Sequence, residues 1–142
     1  MKLAISRALF VAALGLVFAS VAYSQTVNVR TQVPFRFVIG DQTYPAGEYA
    51  VKTLASYSNV IYIGNRNEPK SAMTLAHPIG SGTPAKNTVL LFHRIGNTCF
   101  LYQVWAEGSR VGIGFRQSPE EKELAINKTK AETVSVAANI EQ

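Results

Sequence analysis

The sequence is poor in the residues that build reactive or metal-binding sites. Its 142 residues include one cysteine, two histidines and one tryptophan. A single cysteine cannot close a disulfide within the chain or form a structural zinc site. The two histidines, His77 and His93, lack the close spacing that places two imidazoles on one metal ion. We therefore expect no metal, no cofactor and no catalytic residue.

Charged residues are also scarce, at 16% of the chain, with 14 basic and nine acidic side chains. The lysines and arginines are scattered along the sequence, whereas a nucleic-acid site collects them on one element. The acidic residues show no signature of the carboxylate pair that glycoside hydrolysis requires. This pattern argues against a nucleic-acid partner and against a glycosidase.

The first 24 residues have the pattern of a secretory signal peptide. Lys2 and Arg7 form a basic start, an apolar run covers residues 8–19, and small residues precede a cleavage position after Ser24. The run is shorter than the roughly 20 residues that a spanning helix needs. Cleavage would remove two basic residues, lower the net charge from +5 to +3 and leave one domain over residues 25–142. We expect this domain to be periplasmic or extracellular.

Beyond the signal peptide, apolar and polar side chains mostly alternate, as in strands with one buried face. Turn signals recur roughly every ten residues, which is typical of a sandwich or barrel. We predict a mainly β fold, either a single antiparallel sandwich or a small barrel, with one short C-terminal helix. The stretch Pro78–Lys86 is interpreted as a loop. The glycine-rich stretch 108–115 is interpreted as irregular chain or a short edge strand.

The helix is predicted to begin at Pro119. Ser118 is a suitable N-cap, proline fits the first helical position, and Glu121 completes a capping box. Few large apolar residues follow, so we expect the helix to lie on the surface. The tail Glu132–Ala138 alternates again, and both a final strand and a continued helix fit this pattern.

The segment Leu90–Trp105, LLFHRIGNTCFLYQVW, holds the cysteine, one histidine and the tryptophan. The Gly-Asn pair at its centre is a two-residue turn signal, which sets Arg94 opposite Cys99 and His93 opposite Phe100. Because successive side chains alternate faces, Cys99 and His93 then lie on opposite faces of the sheet. A thiol–imidazole dyad needs hydrogen-bond contact, so we predict no enzyme. A three-residue loop would place the two residues diagonally and leave a hydrolase hypothesis open.

Both faces of this hairpin are largely apolar. We expect the core on one face and a cover on the other, either the helix, a partner chain or a ligand. Trp105 fits a core position better than a binding platform. The candidate contacts for a ligand or partner are Tyr44, Tyr49, His93 and Trp105, together with the glycine-rich loop Ile79–Thr83.

Two blocks of the sequence resemble a group of short exported bacterial proteins of uncharacterised function. The first is VPFRFVIGDQTYPAGEYAV, Val33–Val51, and the second is Leu90–Trp105. The common pattern is Val-Pro-Phe-x-Phe, then Pro-Ala-Gly-x-Tyr, then Phe-His-Arg-x-Gly, over about a quarter of the chain. The resemblance implies export and a β-rich domain, and it assigns no catalytic residue.

The leading hypothesis is an exported, non-catalytic β-domain with a binding or envelope-structural role. Its partner would be a protein, glycan or lipid of the cell envelope. An alternative is a small barrel that carries an apolar ligand between Phe35, Phe37, Tyr62 and Phe92. An enclosed pocket would favour that alternative, and a filled core would argue against it. A homodimer linked through Cys99 is a further option.

Overall fold

The computed structural model describes residues 27–54, 59–69, 71–127 and 130–141. The predicted signal peptide and its cleavage position lie outside these residues. No helix within the described ranges is long and apolar enough to cross a membrane.

The described residues form ten strands and one helix. In chain order the elements are β1 Asn28–Val33, β2 Phe37–Ile39, β3 Gln42–Tyr44, β4 Gly47–Thr53, β5 Val60–Asn65, β6 Ser71–Gly80, β7 Val89–Ile95, β8 Thr98–Trp105, β9 Val111–Phe115, α1 Pro119–Asn127 and β10 Glu132–Ile140. The tail after the helix is therefore a strand, the first of the two interpretations of that segment.

Eight of the strands close into an antiparallel barrel. They follow one another in the order β8, β7, β10, β1, β4, β5, β6 and β9, and β9 pairs back onto β8. All eight neighbouring pairs are antiparallel. The predicted mainly β fold with one short helix is confirmed, and of the two predicted architectures the chain adopts the barrel.

The short strands β2 and β3 extend the sheet beside the barrel. They form a hairpin that turns at Gly40, where the backbone has a φ of 57°, a conformation that favours glycine. β2 pairs in parallel with the first half of β8 through Phe37 and Cys99. β9 pairs with the second half of the same edge through Val104 and Ile113. One edge of β8 thus has two successive partners.

Side chains fill the interior of the barrel. An eight-stranded barrel is just wide enough inside for side chains or one small ligand. Here the ring of Phe37 lies 5.3 Å from Tyr44, 5.0 Å from Tyr49 and 5.4 Å from Phe92. One continuous buried cluster surrounds these rings: Val29, Val33, Phe37, Ile39, Tyr44, Tyr49, Val51, Ile61, Ile63, Ala76, Leu90, Phe92, Cys99, Leu101, Val104, Ile113, Phe115 and Val136.

The β7–β8 hairpin has the predicted two-residue turn. Arg94 pairs with Cys99 and His93 pairs with Phe100, so the predicted register of this end is confirmed. Cys99 belongs to the barrel interior, while Phe100 belongs to a separate buried cluster outside it. Because His93 is opposite Phe100, the imidazole and the thiol lie on opposite faces, as the alternation predicts.

A bulge changes the other end of the hairpin. The register shifts between Leu91 and Phe92, and Tyr102 becomes an extra residue on β8. An extra residue reverses the alternation beyond it. Val104 therefore points into the core and Trp105 points outward. Unbroken alternation from Cys99 would place Trp105 on the inner face and Val104 on the outer face, and the structure shows the reverse. The core position expected for the tryptophan is therefore wrong.

Helix α1 covers the outer face of β2, β7 and β8. Its Leu124 packs against Val38, Ile95 and Phe100, the second buried cluster. Of the three covers considered from the sequence, the structure shows the helix. The surface location predicted for this helix is also confirmed, since Ile126 is 85% exposed.

Strands β6 and β9 differ from their predictions. β6 continues through Pro78 to Gly80, where the sequence indicates a loop. Its described pairing with β5 ends at Leu75, and from Ala76 onward it pairs with β9. A proline, which has no N–H, is tolerated in a strand with one unused edge. β9 itself is no edge strand, because it closes the barrel between β6 and β8.

Candidate functional site

The two tyrosines expected at a contact surface lie inside the barrel. Tyr44 is 1% exposed and Tyr49 is 0% exposed. The Tyr49 hydroxyl donates to the Pro45 carbonyl at 2.5 Å and accepts from the Asn65 amide at 3.2 Å. Burial raises the pKa of both tyrosines because the charged phenolate is poorly solvated there. These rings are core residues, which corrects their assignment as contacts.

His93 holds helix α1 against the barrel. Its Nδ1 lies 2.8 Å from Oε1 of Glu121, and its ring stacks on Tyr102 with centroids 3.6 Å apart. Glu121 is only 2% exposed, and its backbone N–H donates to Ser118 Oγ at 3.0 Å. The predicted N-cap is confirmed, and the Glu121 carboxylate extends across to the barrel. His93 therefore acts between two elements of the fold.

Cys99 is on the other side of the sheet from this histidine. The thiol is 3% exposed and belongs to the interior cluster. The hairpin therefore provides no hydrogen-bonded thiol–imidazole pair of the kind that nucleophilic catalysis uses. A disulfide to a second copy would first require a movement that exposes the sulfur.

Trp105 lies on the outer surface in a fixed orientation. Its indole Nε1 donates to Gln103 Oε1 at 3.0 Å. The ring lies directly over Gly112 of β9, where an added Cβ would be 2.7–2.9 Å from three ring atoms. Only glycine leaves room for this contact. The side chain is half-buried, so part of the ring stays on the surface.

A surface hollow of about 470 Å³ opens beside the indole. We call it the Trp105 hollow, and its lining residues are Ser81, Thr83, Pro84, Ala85, Lys86 and Trp105. The structure thus brings the tryptophan beside Ser81 and Thr83 of the predicted loop Ile79–Thr83, whose first two residues belong to β6. The loop is held in place by backbone bonds from Ser81 to Arg110 and from Ala85 to Ser109.

The chemistry of the Trp105 hollow is mixed. The indole offers a flat apolar surface, Ser81 and Thr83 offer hydroxyl groups, and Lys86 offers an ammonium group. Gly112 and Gln103, which orient the ring, were not predicted from the sequence as site residues. The motif Gly112-Ile113-Gly114 did contain a signal, since glycine within a strand often marks a close approach.

The outer face of β5 and β6 carries exposed apolar side chains. Met73 is 68% exposed and Leu75 is 70% exposed. They pair across the strands with Tyr62 and Val60, so apolar side chains form a patch in the open. Tyr62 was expected to line a ligand cavity, but it alternates with the buried residues of β5 and faces outward.

The part of the chain that the structure describes has no group of three or more histidine, cysteine or carboxylate side chains arranged to hold a metal ion. Among the described residues we take the Trp105 hollow as the candidate site, because an indole held by Gln103 and Gly112 lies there beside polar side chains. Comparisons of the chain with protein-family models, with curated proteins and with solved structures found no match.

Proposed function

We propose that this chain is an exported, non-catalytic binding module that recognises a glycan of the cell envelope through the Trp105 hollow. The observation that carries the proposal is the fixed outward indole beside a polar loop. Trp105 is oriented by Gln103 and lies on Gly112. A ring held by such contacts loses less side-chain entropy when a ligand binds than a free one does.

The lining of the Trp105 hollow suits a sugar. A pyranose ring has an apolar face of C–H groups and a rim of hydroxyls. The indole supplies the matching flat apolar surface, while Ser81, Thr83 and Lys86 supply hydrogen-bond partners for the rim. The hollow is open at the surface, which would let it engage a unit within a long polymer.

The filled interior supports binding from the outside. Two of the four residues that would line an apolar ligand cavity, Phe37 and Phe92, contact each other at 5.4 Å within the buried cluster. Tyr62 lies on the outer face. The separation of His93 from Cys99 on opposite faces supports a non-catalytic role.

The experiment is affinity electrophoresis and calorimetry of residues 25–142 against soluble peptidoglycan fragments and envelope polysaccharides. We expect Trp105→Ala to weaken binding by at least about tenfold, because central tryptophans are typical binding hot spots. Gly112→Ala should weaken it as well, since the new methyl group displaces the indole from its seat.

The control is Leu75→Ala, which removes an apolar side chain that is 70% exposed and does not line the hollow. It should bind like the parent protein, and circular dichroism should show the same fold in all variants. Undiminished glycan binding by Trp105→Ala would disprove the site. Binding to lipid vesicles or to an envelope protein, with no glycan binding, would disprove the glycan assignment.

A further inference from the structure

A second hollow lies at the other end of β8, beside the turn of the β7–β8 hairpin. Its volume is about 440 Å³, and its lining residues are Phe35, Arg36, Arg94, Gly96, Asn97 and Cys99. We call it the arginine hollow. It is separated from the Trp105 hollow by the length of β8, so its role does not depend on the glycan proposal.

Two guanidinium groups line this hollow. Arg94 alternates in phase with the interior residues Leu90 and Phe92, but it stands near the end of β7, where the barrel opens. Arg36 comes from the segment that enters β2. Both side chains are exposed. Two like charges at one hollow repel each other unless an anion lies between them.

Neither arginine has a salt bridge within the described part of the chain. The ion pairs found there involve Arg30, Lys52, Arg66 and His93. Glu132 is the cross-strand neighbour of Arg94, but the two form no ion pair within 4 Å. The guanidinium groups are therefore available to a ligand.

Two apolar side chains also line the arginine hollow. The Phe35 ring is half-buried and meets Phe92 edge-on, with centroids 5.1 Å apart. The buried Cys99 side chain lies next to it in the lining. The amide of Asn97 at the rim adds one hydrogen-bonding group. The hollow thus combines two cationic groups with a small apolar surface at Phe35, its apolar floor.

We propose that the arginine hollow binds an organic carboxylate, with the carboxylate between Arg36 and Arg94 and the apolar body against Phe35. The planar guanidinium fork matches a carboxylate through two parallel hydrogen bonds. An anion at this position also removes the repulsion between the two arginines. The apolar body gains by covering the exposed part of the Phe35 ring.

The test is isothermal titration calorimetry of residues 25–142 with sodium octanoate, compared with acetate, octanol and inorganic phosphate. We expect octanoate to bind most tightly and binding to weaken as salt rises. Arg36→Gln and Arg94→Gln should each reduce its affinity by about tenfold, since each removes a charge-assisted contact. Arg110→Gln, the same change at the Trp105 end of the barrel, should leave it unchanged.

Amide NMR shifts should locate the ligand. Octanoate should move the signals of Gly96 and Asn97 and leave those of Ser81 and Thr83 in place. Equal binding by the parent protein and by Arg36→Gln and Arg94→Gln would overturn the proposal. Octanol binding as tightly as octanoate would overturn the role of the charge, and acetate or phosphate binding as tightly would overturn the role of the apolar floor. If octanoate fails to bind at the arginine hollow, the glycan proposal is unaffected, because it concerns the separate Trp105 hollow.

Discussion

Two parts of the outer barrel surface carry apolar side chains that point away from the barrel interior. These side chains are buried in one part and exposed in the other. Under helix α1, Ile95 and Phe100 are buried against Leu124. On β6, Met73 and Leu75 are more than two-thirds exposed. All four side chains lie outside the barrel core. What differs is the segment after β9, which returns over one part of the surface and leaves the other bare.

The comparison shows that the alternation of residues along a strand determines which way a side chain points but not whether it is buried. A strand residue points inward or outward according to its phase, yet an outward residue is buried only where another element covers it. The covered region contributes apolar burial to stability. The bare region keeps its apolar area in water, where it contributes little to the folding free energy.

The sharpest test of the comparison is alanine substitution in the two regions. Phe100→Ala should lower the free energy of unfolding by about 3–5 kcal/mol, because it removes a buried aromatic ring. Leu75→Ala should change it by less than about 0.5 kcal/mol, as is usual for exposed positions. Urea denaturation followed by circular dichroism gives both values. Similar losses at the two positions would contradict the difference described here.

The two histidines differ in the same way, and their replacement should change the free energy of unfolding by smaller amounts. His93→Ala should cost about 1–3 kcal/mol, because it leaves the buried Glu121 carboxylate without its imidazole partner. His77 lies exposed on β6, and His77→Ala should cost less than about 0.5 kcal/mol. Glu121→Gln, which can still hydrogen-bond the ring, should cost less than His93→Ala. The measurement is the urea midpoint of each variant at neutral pH.

Within helix α1, two apolar residues make a matched pair. Leu124 packs on the covered region, and Ile126 is 85% exposed. Leu124→Ala should cost about 1 kcal/mol for the partly buried methyl groups that it loses. Ile126→Ala should stay within about 0.5 kcal/mol. Hydrogen exchange of the helix amides should accelerate only in the first variant, and equal exchange in both would show that the docking contact lies elsewhere.

The smallest effect on stability is expected in the bare region. Met73→Thr and Leu75→Thr should each leave the unfolding free energy within about 0.5 kcal/mol, because threonine suits an exposed strand position. Both changes reduce the exposed apolar patch, so solubility in polyethylene glycol precipitation should rise. A clear loss of stability would show that this patch is covered in solution.

Local signals in the sequence determine much of this fold. Ser118, Pro119 and Glu121 were sufficient to locate the start of helix α1. The Gly-Asn pair set the hairpin turn, and with it the separation of His93 from Cys99. These features depend on neighbours within a few residues, so a pattern in the chain can report them.

Other features depend on how distant segments meet. The parallel pairing of β2 with β8 and the bulge at Tyr102 arise as the sheet closes, and no short stretch of sequence records them. The bulge alone moved Trp105 from the predicted core to the surface. Tyr49 was different, since it shares its phase with Val51, and that signal already favoured burial over the contact role assigned to it.

The candidate site was predictable only in pieces. Trp105 and the loop Ile79–Thr83 were each chosen from the sequence for their residue types, without a reason to place them together. Their meeting depends on β9, which the sequence indicated as an edge and which instead seats the indole on Gly112. Because β9 was not predicted to close the barrel, the Trp105 hollow could not be predicted from the sequence.

Strand β10 fills the gap between β1 and β7, yet it is the last of the ten strands to leave the ribosome. Until Glu132–Ile140 arrives, both neighbouring strands have an unpaired edge and the ring of hydrogen bonds stays broken. The native ring of eight strands can therefore close only after β10, the last of the described strands in chain order, has been synthesised.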